Sequence, residues 1–202
     1  MDYFGHGTHI AGIIGAGTNN DIGITGMNPN VKLLNVCFLS ALGRGTQFEG
    51  AIAIRYAAQM HARVINCSWG YPTYTLTLQN AVNAALDSGA IVVAAAGNSN
   101  SSVSQYPAAF EGVWSIASLD SNSQRSYFSS YGPNVLFAEP GEDIVSLAPQ
   151  SSYTSKSGTS QAAAVLSGIA ARVLSFKPEL SRDELKTLLI QSCDDIGTQG
   201  RD

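Results

Sequence analysis

Short apolar runs alternate along this chain with longer stretches of helical spacing. Val31–Leu39, Val64–Ser68, Ala90–Ala96 and Val113–Ser118 are rich in β-branched or aliphatic residues and are bounded by Gly, Pro, Asn or Asp. Such runs read as strands buried on both faces. Thr46–Ala62 has helical spacing and puts Phe48, Ile52, Tyr56 and Ala57 on one face. Leu76–Ser88 does the same with Leu78, Val82, Ala85 and Leu86, and Gly89 follows as a stop signal. A long helix is predicted over Ser160–Phe176, ended by Pro178. Its small residues (Ala162, Ala163, Ala164, Gly168, Ala170 and Ala171) allow close packing, so it is expected to be central and buried. Ser181–Gln191 opens with the capping box Ser181-Arg182-Asp183-Glu184, which satisfies free N–H groups of a first helical turn. Alternating strands and helices predict an α/β fold, a parallel sheet with helices on both faces. Chemistry in such folds sits at the carboxyl ends of the strands. The loops after Leu39, Ser68 and Ala96 are therefore the ones to search.

Composition adds mainly exclusions. The 202 residues fit one domain and can bury a core without disulfides. A net charge of −4 argues against non-specific nucleic-acid binding. The longest purely apolar run, Ala90–Ala96, is too short to span a bilayer, and no basic-then-apolar leader opens the chain. Cys37, Cys67 and Cys193 form neither a metal-ligand spacing nor an even framework, and read as small buried or inert thiols.

Three stretches carry candidate chemistry. In Gly5-His6-Gly7-Thr8-His9, glycines on both sides of His6 let a ligand approach the ring, which suits a base. His6 and His9 lack the third ligand that a metal pair needs. In Ala94-Ala95-Ala96-Gly97-Asn98, a buried strand runs into Gly-Asn. Asn98 reads either as a turn residue or as a donor to developing negative charge. In Ser157-Gly158-Thr159-Ser160-Gln161, Ser160 opens the long helix. It is either a cap or a nucleophile whose oxyanion would form at the positive end of a helix dipole.

Taken in this order, the three stretches resemble the subtilisin-like serine proteases, and the likeness runs through essentially the whole chain. His6 in GHGTHIAG matches the family's base, Ser160 in SGTSQAA its nucleophile and Asn98 in AAAGN its oxyanion donor. Ile65-Asn66-Cys67-Ser68-Trp69-Gly70 is similar to the strand that pairs with substrate. Gln124–Ser130 and Glu139-Pro140-Gly141 are similar to later family landmarks. The resemblance implies a three-layer, parallel-sheet subtilisin-like fold and hydrolysis of peptide bonds through an acyl-enzyme. No cofactor is required for that chemistry. Polypeptide substrates would lie as an extended strand between Gly43-Arg44-Gly45 and Ser68-Trp69-Gly70, with Ala95-Ala96-Gly97 walling the primary pocket and Gln105 toward its floor. No acid is apparent there, so a neutral side chain is expected before the cut. Thr18–Ile24 is similar to the family's calcium loop, which implies a structural Ca²⁺ held by carbonyls of Thr18, Ile22 and Ile24 and the Asn20 side chain.

The likeness departs from the family at one point of mechanism. No Asp-Ser-Gly or Asp-Thr-Gly stands before His6, and Asp2 is a poor substitute for the triad carboxylate. Residues 1–202 are therefore expected to be a partial catalytic domain, lacking the N-terminal strand region with the Asp and the C-terminal end. The missing N-terminal segment or a prodomain becomes an expected partner. Asp194–Asp202 is similar to the approach to the last family segment. Removing only the Asp from a subtilisin costs about 3 × 10⁴ in kcat, so the chain alone is expected to be feeble. The alternative is a catalytically dead relic or peptide-binding module that keeps the groove. The family implies a secreted or cell-surface protein, with an intracellular member left open.

Overall fold

The computed structural model describes residues 2–196, so Gly197–Asp202, the end of the last family-like stretch, lies outside the described residues. Chain order is α1 (His6–Gly15), α2 (Gln47–Gln59), β1 (Val64–Cys67), α3 (Leu76–Asp87), β2 (Ile91–Ala95), β3 (Trp114–Leu119), β4 (Val135–Pro140), β5 (Ile144–Ala148), β6 (Ser152–Lys156), α4 (Thr159–Phe176) and α5 (Arg182–Gln191). Strands β1 to β4 form a parallel sheet in sequence order, and β5 and β6 form an antiparallel hairpin.

The three layers follow from side-chain alternation in the sheet. Along β2, Val92 and Ala94 face one way and join Ile54, Leu78 and Val82 of α2 and α3. Ile91, Val93 and Ala95 face the other way and join Ala162, Leu166 and Leu174 of α4 and Leu185 of α5. A smaller cluster holds α1 to α4 through Ile10, Ile13, Ala164 and Val165. Helix α4 is as central as its small residues predict, with eleven of its residues buried. The capping box of α5 forms, the Ser181 side chain accepting from the Glu184 N–H and Glu184 reaching back.

Three expectations need correction. Val31–Leu39 is not a strand: it joins no ladder, and Leu33 and Leu34 are exposed. Extended backbone needs a neighbour to pair with, and β1, the first strand of the sheet, pairs only with β2 among the described residues. Helix α2 buries Gly50, Ala51, Ala53, Ile54 and Ala57, while Phe48, Ile52 and Tyr56 are exposed. Small residues let α2 approach α3 and the sheet closely, which turns its large side chains outward. Finally, Cys67 is buried, with its thiol pushed up to about 12, but Cys37 and Cys193 are exposed.

Candidate active site

The sheet delivers its residues to one end. β1 and β2 stop at Cys67 and Ala95, and their continuations, Ser68-Trp69-Gly70 and Ala96-Gly97-Asn98, lie beside the N-termini of α1 and α4.

His6 is the first residue of α1. Gly5 caps it at φ 76, where a side chain would in addition come within 2.8 Å of Pro149 Cδ. Asp2 does the capping chemistry: its carboxylate accepts from the Gly5 N–H at 2.7 Å and from the Thr8 N–H and hydroxyl at 2.8 Å each. Burial works to raise the Asp2 carboxyl, but these bonds outweigh it and hold it below its ordinary value. Asp2 is thus occupied by the helix start and makes no hydrogen bond to His6.

His6 Nε2 lies 3.1 Å from the Ser68 carbonyl oxygen, and Ser160 Oγ donates to the same oxygen at 3.1 Å. A carbonyl can only accept, so Nε2 carries the imidazole proton in this contact. The His6 ring and the Ser160 hydroxyl share an acceptor instead of bonding each other, and no acidic side chain among the described residues hydrogen-bonds His6. Burial is the main cause that lowers the His6 pKa. The Lys156 charge adds to that, while the Ser68 bond and Asp2 oppose it.

Asn98 is held by one face of its amide. Oδ1 accepts from the Thr159 N–H at 2.8 Å and from the Thr159 hydroxyl at 2.9 Å. The same hydroxyl accepts from the Gly97 N–H at 3.1 Å. The Asn98 amide N–H₂ and the Ser160 backbone N–H enter no hydrogen bond between described residues. Two donors are therefore free, one at the positive end of α4 and one on a side chain whose oxygen is fixed. Sequence reasoning singled out Asn98 and missed Thr159, although Thr159 stands inside the same SGTSQAA stretch.

The two expected substrate edges are tied together: Tyr71 Oη donates to the Gly45 carbonyl at 2.5 Å. Gly43 and Arg44 are closed into a turn by Ser40, through Gly43 N–H to Ser40 carbonyl and Ser40 N–H to Arg44 carbonyl. Trp69 and Gly70 make no backbone hydrogen bond among the described residues, so that edge is open to an added strand. The Trp69 ring meets Phe38 and Tyr71 edge-on, at 5.1 and 5.9 Å between centroids. Gln105 lies between the walls. A side chain on Gly97, which sits at φ 115, would come within 3.0 Å of Gln105 Cγ, and one on Gly70 within 3.5 Å of Gln105 Cβ. Ala95 and Ala96 are buried behind Gly97.

The loop of Thr18, Asn20, Ile22 and Ile24 is tightly curled, with Asn19, Asp21 and Gly23 all at positive φ. Asn20 Oδ1 accepts from the Ile22 N–H at a long 3.4 Å. The expected donors are neutral oxygens. They are of the hard type that Ca²⁺ takes, but they lack the carboxylates that make such sites tight. No group of three or more His, Cys, Asp or Glu placed to hold a metal occurs among the described residues. No described helix is long and apolar enough to cross a membrane.

One end of a parallel three-layer sheet thus gathers a histidine, a helix-N-terminal serine and two free donors. The subtilase family (peptidase S8) matches residues 1–202, and the chain belongs to that family. It is 43% identical over 200 residues to a thermophilic serine proteinase of Bacillus sp. (strain AK1), covering 99% of this chain and 49% of that protein. It is 40% identical over 197 residues to subtilisin DY of Bacillus licheniformis, covering 96% and 72%. A solved cold-adapted subtilisin-like serine proteinase superposes with a TM-score of 0.88 at 32% identity, covering 98% of this chain and 71% of that one. The chain thus spans about half the length of the first relative and nearly three quarters of the second.

Proposed function

We propose that residues 1–202 are part of the catalytic domain of a serine endopeptidase that cleaves polypeptides through an acyl-enzyme. The observation that carries the reading is the convergence of His6, Ser160, Asn98 and the free Ser160 N–H at the carboxyl end of the sheet. Ser160 Oγ bonds to the scissile carbonyl carbon as His6 Nε2 takes its proton. The same proton then passes to the departing amine as the C–N bond breaks, and water hydrolyses the resulting ester. The Ser160 N–H and Asn98 amide hold the oxyanion.

For this to run, Nε2 must be free of its proton when Ser160 attacks. A carboxylate accepting from Nδ1–H selects that tautomer. We place this third member outside residues 1–202, in the N-terminal segment that the family resemblance implies. Until it is supplied, both hydroxyl and imidazole protons rest on Ser68, and turnover is feeble.

Substrate pairs with the Trp69–Gly70 edge and is flanked by Gly43-Arg44-Gly45. Ala95, Ala96 and Gly97 wall the pocket for the side chain before the cut, and Gln105 makes it neutral. Thr18, Asn20, Ile22 and Ile24 hold Ca²⁺ as a weak structural ion, outside the chemistry. Secretion or display at the cell surface fits the family and the Asn- and Ser-rich loops.

The shared Ser68 acceptor also favours a second reading, a peptide-binding module that keeps the groove without turnover. A fluorescent serine-reactive phosphonate separates the two. The endopeptidase reading expects labelling mapped to Ser160, strengthened when an upstream segment bearing a carboxylate is present. A folded, upstream-extended protein that stays unlabelled sinks it and leaves the binding module.

A further inference from the structure

His9 lies one turn along α1 from His6, is fully buried and takes no part in the chemistry proposed for Ser160. Its Nε2 is 3.1 Å from each of two carbonyl oxygens, that of Ile144 on β5 and that of Thr154 on β6. Carbonyls only accept, so the ring proton is on Nε2 and Nδ1 is a bare acceptor. Gln161 of α4, only 2% exposed, meets Nδ1 with its side-chain nitrogen at 3.4 Å. The hairpin carbonyls thus set the His9 tautomer, and the tautomer sets which way round the Gln161 amide sits.

That amide leads to the nucleophile. Gln161 follows Ser160 in the chain, and its bond to His9 is the one hydrogen bond between α1 and α4 among the described residues. With the nitrogen turned to His9, the amide oxygen faces the start of α4. A side chain on Gly158 would come within 2.9 Å of Gln161 Oε1 and 3.2 Å of the Asn98 amide nitrogen. Gln161 therefore fills the space between the His9 ring and the turn that carries the Ser160 N–H. Gly158, the N-cap of α4, has no side chain to steady that turn.

We propose that His9 is a positioning residue for Ser160, acting through Gln161: its Nδ1 fixes the amide that seats the first turn of α4 against the helix carrying His6. This rests on the endopeptidase reading. Losing one neutral hydrogen bond that orients a reacting group costs about three- to tenfold in rate.

Two amide side chains divide the ring's roles. Asparagine puts an oxygen where Nδ1 lies and keeps the acceptor for Gln161, whereas glutamine puts a nitrogen where Nε2 lies and keeps the donor to the two carbonyls. The readout is the second-order rate of phosphonate labelling at Ser160, taken well below each variant's Tm. His9→Gln is expected to label about three- to tenfold more slowly than wild type, and His9→Asn to recover to within about twofold even where it melts lower. Gln161→Leu slows labelling by the same factor as His9→Gln, and combining the two slows it no further. Where a His9 variant does not fold, nitrogen-15 NMR of the ring in the wild type and in Gln161→Leu replaces it: His9 Nδ1 is expected without a proton in both, and shifted by the loss of the amide. Labelling of His9→Gln at the wild-type rate, equal slowing in His9→Asn and His9→Gln, rates that multiply in the double variant, or an Nδ1 that carries the proton or ignores Gln161→Leu overturns the inference. A folded, upstream-extended protein whose Ser160 never labels is a different result: it overturns the endopeptidase reading, and the inference falls with it.

Discussion

Thr159→Val probes how Asn98, the proposed oxyanion donor, is held. Valine keeps the shape of this fully buried side chain and deletes its hydroxyl. Two bonds go: the 2.9 Å bond to Asn98 Oδ1 and the 3.1 Å bond from the Gly97 N–H. The Thr159 N–H bond to Asn98, at 2.8 Å, survives. The lost bond to Asn98 costs about 1 kcal/mol, and losing the Gly97 bond strands a donor at about 1–3 kcal/mol. The expected loss of stability is therefore about 2–4 kcal/mol, or roughly 4–16 °C in Tm for a chain of this size. The effect on chemistry follows separately. Removing an oxyanion donor costs about 10²–10³ in kcat, a magnitude taken from a member of this same family and not worked from these distances. Losing one of the two bonds that orient Asn98 should forfeit about half of that in free energy, roughly 10- to 30-fold. The assay is the second-order rate of phosphonate labelling at Ser160, whose phosphoryl oxygen occupies the oxyanion position, measured well below the variant's Tm. Thr159→Ser, which retains the hydroxyl, is expected within about threefold of wild type. If Thr159→Val labels at the wild-type rate while Asn98→Ala is slowed a hundredfold, the Thr159 hydroxyl does not position the amide and the reasoning fails.

Further predictions concern stability, selectivity and metal. Burial pushes the Glu139 carboxyl up to about 7 from an ordinary 4.5, so the folded state holds its proton more tightly than the unfolded one, and the stability it contributes declines as pH rises from about 4.5 through 7. Glu139→Gln should raise the urea midpoint at pH 8 and not at pH 4.5; equal changes at both would contradict this. His6 and His9, lowered chiefly by burial, act in the opposite sense by costing stability as pH falls below 6.5, but both proteins share them and the comparison cancels them. In a peptide series varied before the cut, Leu and Phe should exceed Lys and Arg, and Gln105→Ala should improve Phe relative to Leu; a basic optimum refutes the neutral pocket. Ca²⁺ in place of EDTA should raise Tm by about a few degrees, and Asn20→Ala should reduce that gain; an identical Tm in both removes the ion.

Local physics was readable in the sequence, and contacts between distant segments were not. The capping box at Ser181 is written in four consecutive residues, and the close packing of α4 follows from its own small side chains. Val31–Leu39 carries the composition of a strand, but a strand is made by its neighbour, and no sequence window contains that neighbour. In α2 the periodicity was real and the choice of face was not, because Ala51, Ile54 and Ala57 pack more closely than Phe48 or Tyr56 can. The candidate site divides the same way. His6, Asn98 and Ser160 stand out by motif, and no Asp-Ser-Gly or Asp-Thr-Gly stands among the residues before His6. The Ser68 carbonyl that holds both protons, the Thr159 hydroxyl behind Asn98 and the Lys156 ammonium near His6 depend on contacts between segments 60 or more residues apart and emerge only from the fold.

The proposal that Ser160 is an acyl-transfer nucleophile backed by Asn98 meets its sharpest test in intact-mass measurement after mixing the protein with a peptide p-nitrophenyl ester, whose leaving group departs without a proton from His6. One acyl adduct per chain is expected, mapped to Ser160, absent in Ser160→Ala and formed at least tenfold more slowly in Asn98→Ala. An adduct on another residue, or none in a folded protein that still binds the peptide, would contradict it.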